Sequence, residues 1–246
     1  MKKWICLLLI ALAFGCVMPQ ISVAENIDKF GYSSIIEEYR QAVLNATYCL
    51  EGWLPRAYIF NWEPFSNVQI NAYVGLVVSI QDQFGYAFRD LNSDQQPELF
   101  LMIRQSWYDI DIDKWVESDN PTYAILAICT LTDDKTPVWC WVGGYGHDGT
   151  GDDICYLNAD GTLTIDKAIG IDMRTITYEL SSSGNELIVL DEIGWDPTEP
   201  YEMGFFKRSR NGEKIPISED EYENLLPTKN YLERVGDLVF IPLSEG

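Results

Sequence analysis

The sequence predicts an α+β fold: N-terminal helices packed on a mainly antiparallel β-sheet part, with a short C-terminal helix and strand. Three observations predict it. Near the N-terminus Ile35, Tyr39, Ala42, Val43 and Ala46 recur at helical spacing. From Tyr86 onward, short apolar runs alternate with clusters of turn-forming residues. Near the C-terminus, Ser218-Glu219-Asp220-Glu221 has the form of a capping box, flanked by Ile217 and Tyr222 as a hydrophobic staple.

Taken in order, the chain starts with Lys2 and Lys3, an apolar run from Trp4 to Phe14, and Ser22-Val23-Ala24 before Glu25. A positive start, a short apolar stretch and a small-x-small site read as a secretory signal peptide over residues 1–24. The run is too short to span a bilayer, and no later stretch is long and apolar enough to do so. Gly15-Cys16 offers a second route, lipid attachment at Cys16, although Ala13 and Phe14 suit a lipobox poorly. Export as a free protein is the favoured expectation.

Residues 25–246 read as one domain, with a helical part over 25–84, a β-rich part over 85–210 and a last helix and strand over 211–246. Ser34-Ile35-Ile36-Glu37 is a candidate capping box for a first helix reaching about Cys49. Gly52 to Trp62 reads as an aromatic loop. Phe65 to Phe84 reads as a second helix, ended at Gly85. Tyr123 to Leu131 is apolar on both faces and should be a central strand. Val138 to Val142 should bring Trp139 and Trp141 to one face. Asn158 to Gly161 and Ser182 to Asn185 read as hairpin turns. Leu238 to Ile241 gives a last strand, placed at an edge by Pro242.

The stretch Tyr86 to Met102, YAFRDLNSDQQPELFLM, carries the most chemistry. It reads as strand, acidic loop, strand. Oxygen-bearing side chains recur at Asp90, Asn92, Asp94 and Glu98, and Gln96 can add a backbone carbonyl. Calcium takes about six to eight oxygens at short range, and alternate residues of a tight loop point inward together. An EF-hand fits badly, because Leu101 stands where its closing glutamate belongs. A shorter loop closed by Glu98 fits better. A similar spacing at Asp109, Asp111, Asp113 and Glu117 reads instead as a strand with one wet face, since Ile110 and Ile112 alternate with the aspartates.

YAFRDLNSDQQPELFLM resembles the Y-A-hydrophobic-x-D-[IL]-[DN]-x-D-G-x-P-E-L element of secreted or lipid-anchored proteins of Gram-positive anaerobic bacteria. Its loop is also similar to those of FG-GAP repeats and dockerins. PISEDEYENLL, Pro216 to Leu226, resembles a later I-S-E-E-E-[YF] segment of the same secreted group. The resemblance implies a helical part followed by a β-rich part, with Asp90, Asn92, Asp94 and Glu98 as ion ligands. It implies no reaction. Gln95 stands where the pattern has glycine. If that position needs a positive φ, a Cβ there costs on the order of 1 kcal/mol.

Composition excludes several classes. A formal charge of −21 and 38 acidic residues keep the chain soluble and repel nucleic acid. A hydrophobic fraction of 47% excludes a disordered acidic tail. Cys49, Cys129, Cys140 and Cys155 follow the leader. Export permits disulfides among them in any of three pairings, and free buried thiols are the alternative. A two-residue turn at Asp134-Lys135 would set Cys129 opposite Cys140. Zinc is disfavoured, because there is no C-x-x-C pair and His147 is the only histidine.

Together these readings predict an exported, non-catalytic protein with a structural calcium-type loop that binds an extracellular ligand. Two alternatives come from other classes. Trp53, Tyr58, Phe60 and Trp62 could stack on sugar rings in a carbohydrate-binding module. His147 beside Asp148, a cysteine such as Cys49 or Cys155, or a carboxylate pair could serve an extracellular hydrolase.

Overall fold

A computed structural model describes residues 30–45, 80–105, 107–109, 114–116, 122–143, 152–169, 172–200, 204–210, 212–226, 235 and 237–245. It also describes short strands at 47–49, 57–59 and 69–71. Residues 1–24, the expected signal peptide with Cys16, lie outside the described residues.

The expected fold class is overturned. The molecule is mostly β, and its body is two antiparallel sheets packed face to face. Helices among the described residues are three and small: α1 (Ser33–Leu44), α2 (Ile80–Gln83) and α3 (Glu219–Leu225). The first sheet has five strands, β4 (Phe84–Arg89), β5 (Glu98–Gln105), β8 (Thr122–Leu131), β9 (Pro137–Val142) and β16 (Ile241–Pro242), in the order β16-β4-β5-β8-β9. The second is a six-stranded meander in sequence order: β10 (Asp152–Leu157), β11 (Leu163–Ile169), β12 (Asp172–Leu180), β13 (Leu187–Trp195), β14 (Phe205–Ser209) and β15 (Ile215–Pro216). Three short strands, β1 (Thr47–Cys49), β2 (Ala57–Ile59) and β3 (Gln69–Asn71), form a separate sheet. A hairpin joins β6 (Trp107–Asp109) to β7 (Lys114–Val116).

The departure from the expected helices lies before residue 80. The first helix stops at Leu44 rather than near Cys49, and the chain turns into β1. Where a second helix over Phe65 to Phe84 is expected, Gln69–Asn71 is a strand paired with Ala57–Ile59, and Ile80–Gln83 is a short helix. The stretch is rich in Val and Ile, which lose rotamer freedom in a helix and pack well on a pleated surface. Its residues 65–68 and 72–79 lie outside the described residues. The aromatic loop over Gly52 to Trp62 likewise contains β2.

The predicted capping box at Ser34 does not form. Tyr32 is the N-cap residue of α1 and its side chain makes no cap bond. Instead its hydroxyl is buried and donates to the Pro97 carbonyl at 3.1 Å. Glu37 pairs with Arg40 and accepts from Gln41 at 2.9 Å. The helix is therefore fixed by burial of Tyr32, Ile35, Ile36, Tyr39 and Val43 on the first sheet.

Strand β5 shows how the first sheet works. Leu99, Leu101 and Ile103 face α1, while Phe100 and Met102 face the second sheet. Alternation along a strand sends neighbours to opposite faces, so a strand covered on both sides must be apolar throughout. Strand β8 is apolar for the same reason and is central, as its sequence predicts. Against that second cluster pack Cys155, Leu157, Leu163 and Ile165 of β10 and β11. On the far side, α3 covers Phe205 with Ile217 and Tyr222. Ser218 caps that helix as predicted, accepting from the Glu221 amide at 3.2 Å.

One register differs in an instructive way. Cys129 pairs with Trp139 and Ile128 with Trp141, leaving Cys140 as an extra residue in a β-bulge. Trp139 and Trp141 consequently face opposite sides of the sheet, the first toward α1 and the second toward the second sheet. The predicted pairing of Cys129 with Cys140 fails because the turn is longer than two residues. The Thr132 amide donates to the Thr136 carbonyl at 2.9 Å, and Lys135 sits at φ 64°. Cys129, Cys140 and Cys155 are all free thiols. The side chain of Cys49 lies outside the described residues.

Candidate metal centre

Strands β4 and β5 pair from Phe84↔Ile103 to Arg89↔Glu98, so the intervening 90–97 loop closes a hairpin with both ends in register. The loop is folded around its own side chains. Asp90 accepts from the amides of Asp94 at 3.2 Å and Gln95 at 2.9 Å. Asn92 Oδ1 also accepts from the Asp94 amide at 3.2 Å, and Asp94 Oδ1 accepts from the Gln96 amide at 2.7 Å. Ser93 and Gln95 take up φ of 62° and 72°. The position at which the sequence pattern expects glycine thus has the positive φ that glycine adopts most easily.

Glu98 closes the loop from the first position of β5. It is 0% exposed. Its Oε2 accepts from the Leu91 amide at 2.7 Å, but Oε1 has no hydrogen-bond partner. Burial pushes its carboxyl up to about 7, two amide contacts oppose the shift, and the negative charges of Asp94 and Asp90 add to it. A buried carboxylate oxygen left without a donor costs a few kcal/mol.

Neighbours that sequence reasoning missed surround this carboxylate. The hydroxyl of Tyr32 is raised far above its ordinary value by burial, then by Cys129 and Glu98. Burial pushes the thiols of Cys129 and Cys140 up to about 12, with Glu98 adding to the latter. The signal for these contacts in the sequence is faint: Tyr32, Cys129 and Cys140 come from three distant elements.

The loop is also tied to its surroundings. Gln96 Nε2 donates to the Leu131 carbonyl at 3.2 Å, and Lys135 Nζ donates to Gln96 Oε1 at 2.5 Å. Asn92 Nδ2 donates to Asp94 Oδ2 at 3.0 Å and to the Ser181 carbonyl of the second sheet at 3.3 Å. The predicted ligands therefore share one loop. Even so, among the described residues no three His, Cys, Asp or Glu side chains are grouped as a ready-made metal site.

No family model matches this chain, and neither does any curated protein or solved structure. The candidate site therefore stands on its own geometry. His147, Trp53, Phe60 and Trp62 lie outside the described residues, and of Tyr58 only the strand backbone is described. Asp109 lies in β6, whereas Asp111, Asp113 and Glu117 lie outside the described residues. Cys155 is buried and its thiol is raised well above the ordinary value by burial, which removes the thiolate that a nucleophile needs. Among the described residues no helix is long and apolar enough to cross a membrane.

Proposed function

We propose that the protein is an exported, non-catalytic binding protein whose 90–97 loop and Glu98 hold a calcium ion as a structural staple. The observation that carries this reading is the orphaned Oε1 of fully buried Glu98, set beside Asp90 and Asp94. Three carboxylates near one another repel unless a cation neutralises them. The donor set is all oxygen: carboxylates of Asp90, Asp94 and Glu98, the amide oxygen of Asn92 and the carbonyl of Gln96. Such a set suits a hard cation. Each carboxylate oxygen that accepts one amide keeps a second lone pair for an ion, so the loop's internal bonds do not consume its ligands. The leader-like start of the sequence supports export, where calcium is abundant enough for a weak site to fill.

Calcium at ten times its dissociation constant stabilises the folded state by about 1.4 kcal/mol. The expected result is a melting temperature raised by a few degrees in calcium relative to chelator, and no rise in Asp90→Ala or Asp94→Ala. Magnesium should do less, because it demands near-octahedral geometry. Equal melting curves in calcium and chelator for the unmutated protein would remove the proposal.

A further inference from the structure

Asn92 occupies a position between the loop and the second sheet. Its side chain has two jobs. Oδ1 points into the loop, where it accepts from the Asp94 amide at 3.2 Å. Nδ2 divides its donors between Asp94 Oδ2 at 3.0 Å and the Ser181 carbonyl at 3.3 Å. Ser181 opens the turn between β12 and β13, and that turn is internally braced. The Gly184 amide donates to the Ser181 carbonyl at 2.8 Å, and the Ser181 amide donates to the Glu186 carbonyl at 2.9 Å. A second tie to the first sheet is the Cys140 thiol, which donates to the Gly184 carbonyl at 3.4 Å. Gly184 sits at φ +71°, and a Cβ there would lie 3.2 Å from Thr130 Oγ1 and 3.6 Å from Asn92 Nδ2.

We infer that Asn92 couples the ion site to the second sheet, so that cation binding in the loop clamps the β12–β13 turn. The inference rests on the calcium reading and adds a consequence to it. A carboxamide is planar, so a cation that fixes Oδ1 also fixes the direction of Nδ2. A cation also draws on the Asp94 oxygens, which weakens their competition for Nδ2 and leaves the Ser181 carbonyl as its acceptor. Aspartate at this position would offer the ion the same oxygen, or a better one, yet donate nothing to Ser181. The amide therefore has a use that a ligand count alone does not explain. By linkage, whatever the ion does for the turn, the turn does for ion affinity.

The test compares the unmutated protein, Asn92→Asp and Gly184→Ala. Calorimetric calcium titration reads affinity, and amide hydrogen exchange over 181–186 reads the clamp. The Ile217 amide, bonded to the Phe205 carbonyl at 3.0 Å in the cluster covered by α3, serves as a reference. In the unmutated protein, saturating calcium should slow exchange of the turn about tenfold relative to that reference, the size of a modest coupling. Asn92→Asp, held at calcium concentrations that saturate it by its own titration, should lose the selective slowing. Gly184→Ala, whose Cβ would press on Thr130 Oγ1 beside Asn92 at a strained positive φ, should weaken calcium binding by about the same tenfold factor. Binding without slowing in the unmutated protein, or slowing that persists in Asn92→Asp, overturns the coupling while leaving the calcium site intact. No calcium heat in the unmutated protein overturns the calcium reading and the coupling with it.

Discussion

A carboxyl group with no solvent exposure has two ways to lose its desolvation penalty, a proton or a cation, and Glu98 is poised for both. Its ordinary value is 4.5 and burial raises it to about 7 in the folded protein. The folded state thus binds this proton more tightly than the unfolded state. The resulting stabilisation is fully present below the ordinary value and is lost as pH rises through about 7. In chelator, the unmutated protein should therefore lose stability between pH 5 and pH 8 relative to Glu98→Gln, by on the order of 2–3 kcal/mol. The comparison with Glu98→Gln isolates this carboxyl; Asp196, held low by hydrogen bonds from Lys214 and Thr198, changes stability only below its ordinary value of 3.8, outside this window. Calcium should reverse the trend, since it replaces the proton, so the calcium-induced gain should grow with pH. Parallel urea midpoints for the two proteins across this range would show that Glu98 does not titrate as its burial implies.

At the scale of elements, the two candidate capping boxes give a direct contrast. Ser218 accepts from the Glu221 amide, whereas Ser34 lies exposed inside the first turn of α1 and caps nothing. Ser218→Ala should cost about 1 kcal/mol, and Ser34→Ala should fall within a few tenths of neutral. Denaturant midpoints of the two variants check this, and equal losses would contradict the assignment of the N-caps. The contrast also shows what a sequence can display. A capping box is a pattern that two helix starts can share, but only one start leaves its amides without another solution. Strands from Tyr86 onward were legible as short apolar runs bounded by turn-forming residues. The bulge at Cys140 was not, because an unpaired residue leaves no trace in such a run, and it alone sends Trp139 and Trp141 to opposite faces. Before residue 80 the apolar residues fit both a helix and short strands, and strand pairing over Gln69–Asn71 decided between them. The loop spacing was legible as chemistry. That Glu98 is buried with one oxygen unmet, and that Asn92 reaches Ser181, depends on tertiary packing that spacing does not encode.

At the scale of the molecule, the question is whether the two sheets behave as one body. Their shared core answers it. Phe100, Met102, Ile125, Ile128 and Trp141 of the first sheet pack with Cys155, Leu157, Leu163 and Ile165 of the second in a single buried cluster. Neither sheet can expose this face alone without losing roughly 1.5–3 kcal/mol for each large side chain uncovered. The sheets should therefore unfold together, in one transition. Far-ultraviolet dichroism reports strands of both sheets, while the fluorescence of Trp141 reports the junction between them, so their urea curves should coincide once Trp139 and the other tryptophans are replaced. A Phe100→Ala cavity, expected to cost about 3–5 kcal/mol, should move both curves by the same amount. Calcium in the 90–97 loop should likewise shift both, because Glu98 begins the strand that carries Phe100 and Met102 into that cluster. Two separated transitions, with calcium moving only one, would mean that the second sheet is an independent unit merely leaning on the first.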